Sequence, residues 1–195
     1  MKKLCVVFPG RRYSVDRSIL YYPSRIIQNS GYEMIYLHYD MHKESPDQEF
    51  ELSYKHGKEV VDEKLKDVDF SKYEKIIFLG KSLGTLLSSE EKEKIGRKDI
   101  ITIAITPLEG CLKYLNSKDL IICGLNDQFL PDAKNKLSNF PNSYIFPNLS
   151  HSLEAKFNYH LTLQTVENVA GIVEAYVNSL ELWGTYRCIK HFIVL

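Results

Sequence analysis

Residues 76–91 read IIFLGKSLGTLLSSEE. An apolar, β-branched run ends on Gly80, Ser82 follows between Lys81 and Leu83, and Gly84 opens a second apolar stretch. The first run suits a buried strand and the second a helix, so the chain must reverse sharply between them. Glycine two residues either side of the serine removes side chains that would strike neighbouring backbone in so tight a turn. The pattern predicts a Ser82 hydroxyl held above the end of a sheet, with the N–H of Leu83 aimed into the same space. The first turn of the helix adds positive partial charge there. Lys81 is expected to be an exposed side chain.

Outward from this turn, short apolar runs recur at Leu4–Phe8, Glu33–Tyr39, Lys75–Leu79, Ile100–Ile105, Leu120–Gly124 and Ser143–Phe146. Runs apolar on both faces suit strands buried in a parallel sheet. Segments of helical period lie between them. In PSRIIQNSG, Pro23 suits a first helical turn and Gly31 a helix end. Val60, Val61, Leu65 and Val68 make one apolar stripe. The longest segment carries Val166, Val169, Ala170, Val173, Tyr176, Val177 and Leu180, the face of a C-terminal helix docked on the sheet. Regular alternation predicts an α/β fold: an open, doubly wound, mostly parallel sheet of about six strands. Ligands bind such sheets beyond the carboxyl ends of their strands.

Composition narrows the function. The 195 residues carry 25 Lys and Arg against 25 Asp and Glu, scattered along the chain, so the basic footprint of a nucleic-acid binder is missing. No window approaches the roughly 18 apolar residues of a membrane span. MKKLCVVF begins like a signal peptide, but Pro9, Gly10, Arg11 and Arg12 cut the apolar patch short. Cys5, Cys111, Cys123 and Cys188 lack metal-type spacing and read as reduced thiols of a cytoplasmic protein. The chain reads as a single domain, 1–195, in which 181–195 (ending WGTYRCIKHFIVL) form a tail. That tail suits a docked segment, an edge strand or a partner contact, including one that would make a homodimer.

A nucleophilic serine needs a base, and the base an orienting acid. Where Gly-x-Ser-x-Gly serves as a nucleophile turn, the acid follows a later strand and the histidine the last one. DLIICGLNDQF delivers Asp127 in a turn after an apolar run, with Asp132 as a rival. SYIFPNLSHSLE delivers His151 in a short polar loop before a helix. Asn-Asp is also ordinary turn chemistry. His38, Asp40 and His42 alternate in HYDMH, as three ligands on one side of a strand would. No second cluster joins them, and ordinary loop residues are the better reading.

FPGRRYS, GKSLG, GLNDQF and NLSHSLE, in this order, resemble a small bacterial α/β-hydrolase of the esterase-like and dienelactone-hydrolase-like kind, over roughly residues 4–180. The resemblance implies a minimal fold without a lid domain and a triad of Ser82, Asp127 and His151. It also implies an oxyanion hole from the backbone N–H groups of Leu83 and Arg11, with no cofactor. Pro-Gly replaces the His-Gly usual in the first loop, and the first antiparallel strands of the full fold are missing. The implied activity is hydrolysis of small or accessible carboxylic esters, with thioesters or amides as alternatives on the same triad. A non-catalytic binding protein on that scaffold is the alternative from another class. Tyr13, Leu108 and Leu112 are candidate pocket residues. Arg11 and Arg12 read more readily as solvated than as an anion site.

Overall fold

The computed structural model describes residues 2–39 and 49–182. Its six strands are β1 (Lys3–Phe8), β2 (Glu33–Tyr36), β3 (Lys75–Ser82), β4 (Ile101–Pro107), β5 (Leu120–Gly124) and β6 (Ser143–Phe146). They form one sheet in the order β2-β1-β3-β4-β5-β6, and every pairing between them is parallel. The helices are α1 (Ser18–Asn29), α2 (Glu49–Leu65), α3 (Leu83–Ile95), the single turn α4 (Ala133–Lys136) and α5 (Tyr159–Leu182). The chain leaves β1 for β2 on one side and returns to β3 on the other. This switch opens a crevice between the carboxyl ends of β1 and β3.

Alternation along each strand distributes the core. Cys5 and Val7 of β1, with Ile77 and Leu79 of β3, pack under α1 and α5 beside Ile19, Leu20, Ile27, Val169, Val173 and Val177. Leu4, Val6, Phe8, Ile76 and Phe78 point the other way, toward Val61 and Leu65 of α2 and Leu83 and Leu87 of α3. A third cluster joins Ala104, Ile121 and Cys123 to Cys111 and Ala133. Both faces of the sheet are covered, as an all-parallel sheet requires. Lys3–Phe8 therefore supply a central strand that is buried from Leu4 onward.

Element ends differ from expectation: β3 runs on to Ser82, and β4 covers Ile101–Pro107. Helix α1 begins at Ser18, which leaves Pro23 in its interior and not in its first turn. The early donors find acceptors outside the regular ladder: Ile19 N–H donates to the Tyr13 hydroxyl (3.1 Å) and Leu20 N–H to the Arg17 carbonyl (2.9 Å). That lets the helix start upstream of the proline. Strand β2 stops at Tyr36, short of Tyr39, although Leu37 N–H still reaches the Val7 carbonyl (3.1 Å).

Gly31 stops α1 as expected, at φ 86°. Glu181 and Leu182 belong to α5 and not to a tail; the remainder of that segment, with Cys188, lies outside the described residues, as do Asp40 and His42. Among the described residues no helix is long and apolar enough to cross a membrane, and no three His, Cys, Asp or Glu groups gather for a metal.

Candidate active site

Ser82 ends β3 and caps α3 with φ 52° and ψ −120°, a conformation that non-glycine residues rarely adopt. The strand is crowded against the helix it feeds. A Cβ on Gly84 would stand 2.1 Å from the Phe8 carbonyl oxygen and 2.5 Å from that of Pro9. One on Gly80 would meet the Gly84 carbonyl oxygen at 2.9 Å. Thr85 pins the turn, its hydroxyl donating to the Ser82 carbonyl (2.7 Å) and accepting from Leu108 N–H (3.2 Å).

The turn brings together residues from three carboxyl-end loops. Ser82 Oγ lies 2.7 Å from Nε2 of His151, which follows β6. Nδ1 of the same ring lies 2.9 and 2.8 Å from the two carboxylate oxygens of Asp127, which follows β5. A carboxylate only accepts, so Nδ1 carries the hydrogen and Nε2 presents its lone pair to the Ser82 hydroxyl. Asp127 is 2% exposed, and its Oδ1 also accepts from Phe129 N–H (2.9 Å). Asp132 is exposed and its carboxylate accepts from the Asn135 side-chain amide (2.9 and 2.8 Å), so it takes no part.

Leu83 is the first residue of α3, and its N–H is among those a helix leaves without an internal acceptor. Across the crevice, Gly10 and Tyr13 exchange backbone hydrogen bonds (3.0 and 3.3 Å), which sets Arg11 and Arg12 at the tip of a two-residue turn. A Cβ built on Gly10 would lie 3.4 Å from Ser82 Cβ, so this turn borders the serine directly. Leu108 is half-buried beside the turn. Tyr13 and Leu112 are packed more closely. Tyr13 is 9% exposed within the core beneath α1, and Leu112 packs against the third core cluster.

Lys81 corrects the expectation of an exposed side chain: it is 2% exposed. Its Nζ donates to Thr106 Oγ1 (3.1 Å) and to the His151 carbonyl (3.3 Å), and it stands 4.6 Å above the Tyr13 ring. Burial pushes its pKa down to about 8, against the upward pull of Asp127 and Glu154 and with a further downward push from Arg17. Phe129 is a second participant that the sequence did not signal; its ring meets the imidazole edge-on at 4.6 Å. Buried thiols do not compete as nucleophiles, since desolvation pushes Cys123 up to about 12 and Cys111 to about 11.

No family model matches the chain, and no curated protein matches its sequence. Solved structures do match its fold. An α/β serine hydrolase homologue from Coxiella burnetii, 14% identical, aligns over 87% of this chain and 84% of its own with a TM-score of 0.58. An α/β serine hydrolase without a lid from Xanthomonas campestris, 15% identical, aligns over 91% and 82% at 0.60. Alpha/beta hydrolase domain-containing protein 10 from mouse, 11% identical, aligns over 90% of each chain at 0.59. The fold is that of the α/β-hydrolases; identities this low speak to architecture and not to activity.

Proposed function

We infer that this chain is a serine hydrolase that cleaves carboxylic esters of small or accessible substrates through an acyl-enzyme intermediate. The observation that carries the reading is the continuous hydrogen-bonded line from the Asp127 carboxylate through the His151 ring to Ser82 Oγ. Ser82 Oγ attacks the ester carbonyl while His151 Nε2 takes its proton. Asp127 holds the ring in the required tautomer and offsets the imidazolium charge. The carbonyl oxygen, now an anion, is met by the N–H groups of Leu83 and Arg11, and losing one such donor typically costs about 10²–10³ in rate. His151 then protonates the departing alcohol. In the second half a water gives its proton to His151 and attacks the acyl carbon, which releases the acid and restores Ser82.

Access supports small or surface-presented esters. The connection between β4 and β5, where a lid is often inserted in such folds, holds only the 3₁₀ turn Glu109–Tyr114. Thioesters and amides share the acyl-enzyme step, so a substrate panel must discriminate them.

The first test is labelling of the wild-type chain by a fluorophosphonate, compared with Ser82→Ala. Labelling of the wild type alone is the expected result. Equal labelling of both, or of neither, would return the chain to the reading of a binding protein. p-Nitrophenyl esters of increasing acyl length, run beside a thioester and an anilide, will then report leaving-group class and cleft depth. Hydrolysis confined to short esters is expected.

A further inference from the structure

The mechanism above leaves unused a cation buried against the triad. We propose that Lys81 is a positioning residue, a protonated clamp that ties the loop bearing His151 to the serine turn and so limits activity on the alkaline side. This deepens the hydrolase reading and rests on it.

The segment that carries His151 departs from regular backbone at several points. Between β6 and α5 the chain passes through three non-glycine residues in the left-handed region: Asn148 at φ 60°, Leu153 at 59° and Phe157 at 63°. Backbone of that kind persists only where surrounding structure imposes it. Asn126 N–H fastens Leu149 through its carbonyl (2.9 Å), and Thr162 Oγ1 accepts from Ala155 N–H (2.9 Å). Lys81 fastens His151 itself, from beneath, through the peptide carbonyl of that residue.

The same ammonium meets the other parts of the site. It is covalently the residue before Ser82, it donates to Thr106 at the end of β4, and it lies over Tyr13, whose backbone closes the turn holding Arg11. Thr106 is itself in the left-handed region at φ 45°, an uncommon state for a β-branched residue, and its hydroxyl is thereby aimed at Lys81 Nζ. The end of β4 and the segments that follow β1 and β6 thus converge on one side chain.

Charge determines how firmly they converge. An ammonium donor makes hydrogen bonds roughly twice as strong as a neutral amine would, and only the cation is drawn to the Tyr13 ring face. The groups facing it are Asp127 after β5, His151 and Glu154 in the base loop, Arg17 ahead of α1 and Tyr13 after β1. Two carboxylates favour the charged form, while burial and Arg17 oppose it. The balance holds the pKa down at about 8, well below that of an ordinary lysine. Above that pH the neutral amine grips the His151 carbonyl less firmly and releases the aromatic ring.

The test follows the rate at which a fluorophosphonate labels Ser82 between pH 6 and 10, in the wild type and in Lys81→Met. Wild-type labelling should fall about tenfold with a midpoint near pH 8, on the scale that slight misplacement of a reacting group costs. Lys81→Met should start about tenfold lower at pH 7 and show no alkaline fall. Thermal melting at pH 7 checks that the variant folds; if it does not, Lys81→Gln, which keeps an N–H donor without the charge, replaces it.

A wild-type rate that stays level or rises through pH 9 overturns the proposal, because repulsion between the ammonium and the developing imidazolium would then outweigh the clamp. An alkaline fall of equal size in Lys81→Met overturns it too. Neither result touches the hydrolase reading. Failure of the wild type to react at any pH would remove both.

Discussion

Ser82 occupies a backbone state that costs a non-glycine residue about 1–3 kcal/mol, and the strain lifts Oγ into reach of His151. The ring in turn owes its orientation to Asp127, which accepts at both oxygens. Asp127→Asn will keep the fold, since the amide oxygen can still accept from Phe129 N–H. It will offer the ring an amide donor as well, which stabilises the wrong tautomer. We expect a loss of about 10⁴ in kcat with little change in KM, by the logic of hydrogen-bonded triads in general. Ester turnover at saturating substrate, with a thermal melt as control, will check it. At this scale the sequence was legible where chemistry and spacing coincide: Ser82 between its glycines, Asp127 and His151 each just past a strand. Lys81 was not legible. Lysine is rarely buried, and the partners that make burial tolerable, Thr106, Tyr13 and the His151 carbonyl, come from distant parts of the chain. Tyr13, expected as a pocket residue, is 9% exposed and commits its hydroxyl to the start of α1, a role that no local pattern in the sequence signals.

Among the elements, β3 and α3 form one device whose tolerance is set by β1. The helix enters so close to the end of β1 that any side chain at position 84 would overlap the Phe8 and Pro9 carbonyls. Backbone on both sides cannot retreat cheaply, so Gly84→Ala will cost about 1–3 kcal/mol, as overpacking does. For a chain of this length that is a fall of about 2–12 °C in Tm. Fluorophosphonate labelling should drop by more than the melt suggests, because the displaced segment leads directly into the Gly10–Tyr13 turn beside Ser82. Element types were readable from the alternation of buried runs and helical stripes, and element ends less so. The register of α1 depended on side-chain acceptors that a one-dimensional pattern does not contain, and β2 ended where its pairing with β1 gave out.

Across the whole molecule, α5 connects the two ends of the sheet. Its 24 residues begin just after the base loop and finish at the amino ends of β1 and β3, where Glu181 accepts from Lys3 (2.8 Å) and Lys75 (2.9 Å). Burial alone would raise the Glu181 carboxyl, but the hydrogen bonds and charges of the two lysines outweigh it and hold the group below the usual carboxylate range. A carboxyl depressed in the folded state contributes stability that is complete above its unfolded pKa and is lost as pH falls through the folded value. Stability carried by this clamp is therefore present above about pH 5 and drains away below pH 4.5. The side chain is 31% exposed, so solvent screening limits its contribution to about 1 kcal/mol, or about 2–4 °C in Tm. Glu181→Gln should lower the melting temperature by that amount at pH 7 and make no difference at pH 3, so that the two melting curves converge as the medium is acidified. Convergence would assign this part of the acid sensitivity to the far end of α5, while labelling of Ser82 at pH 7, at the other end of the same helix, should be unchanged. A gap between the curves that persists at pH 3 would mean that the glutamate acts through packing and not through its charge.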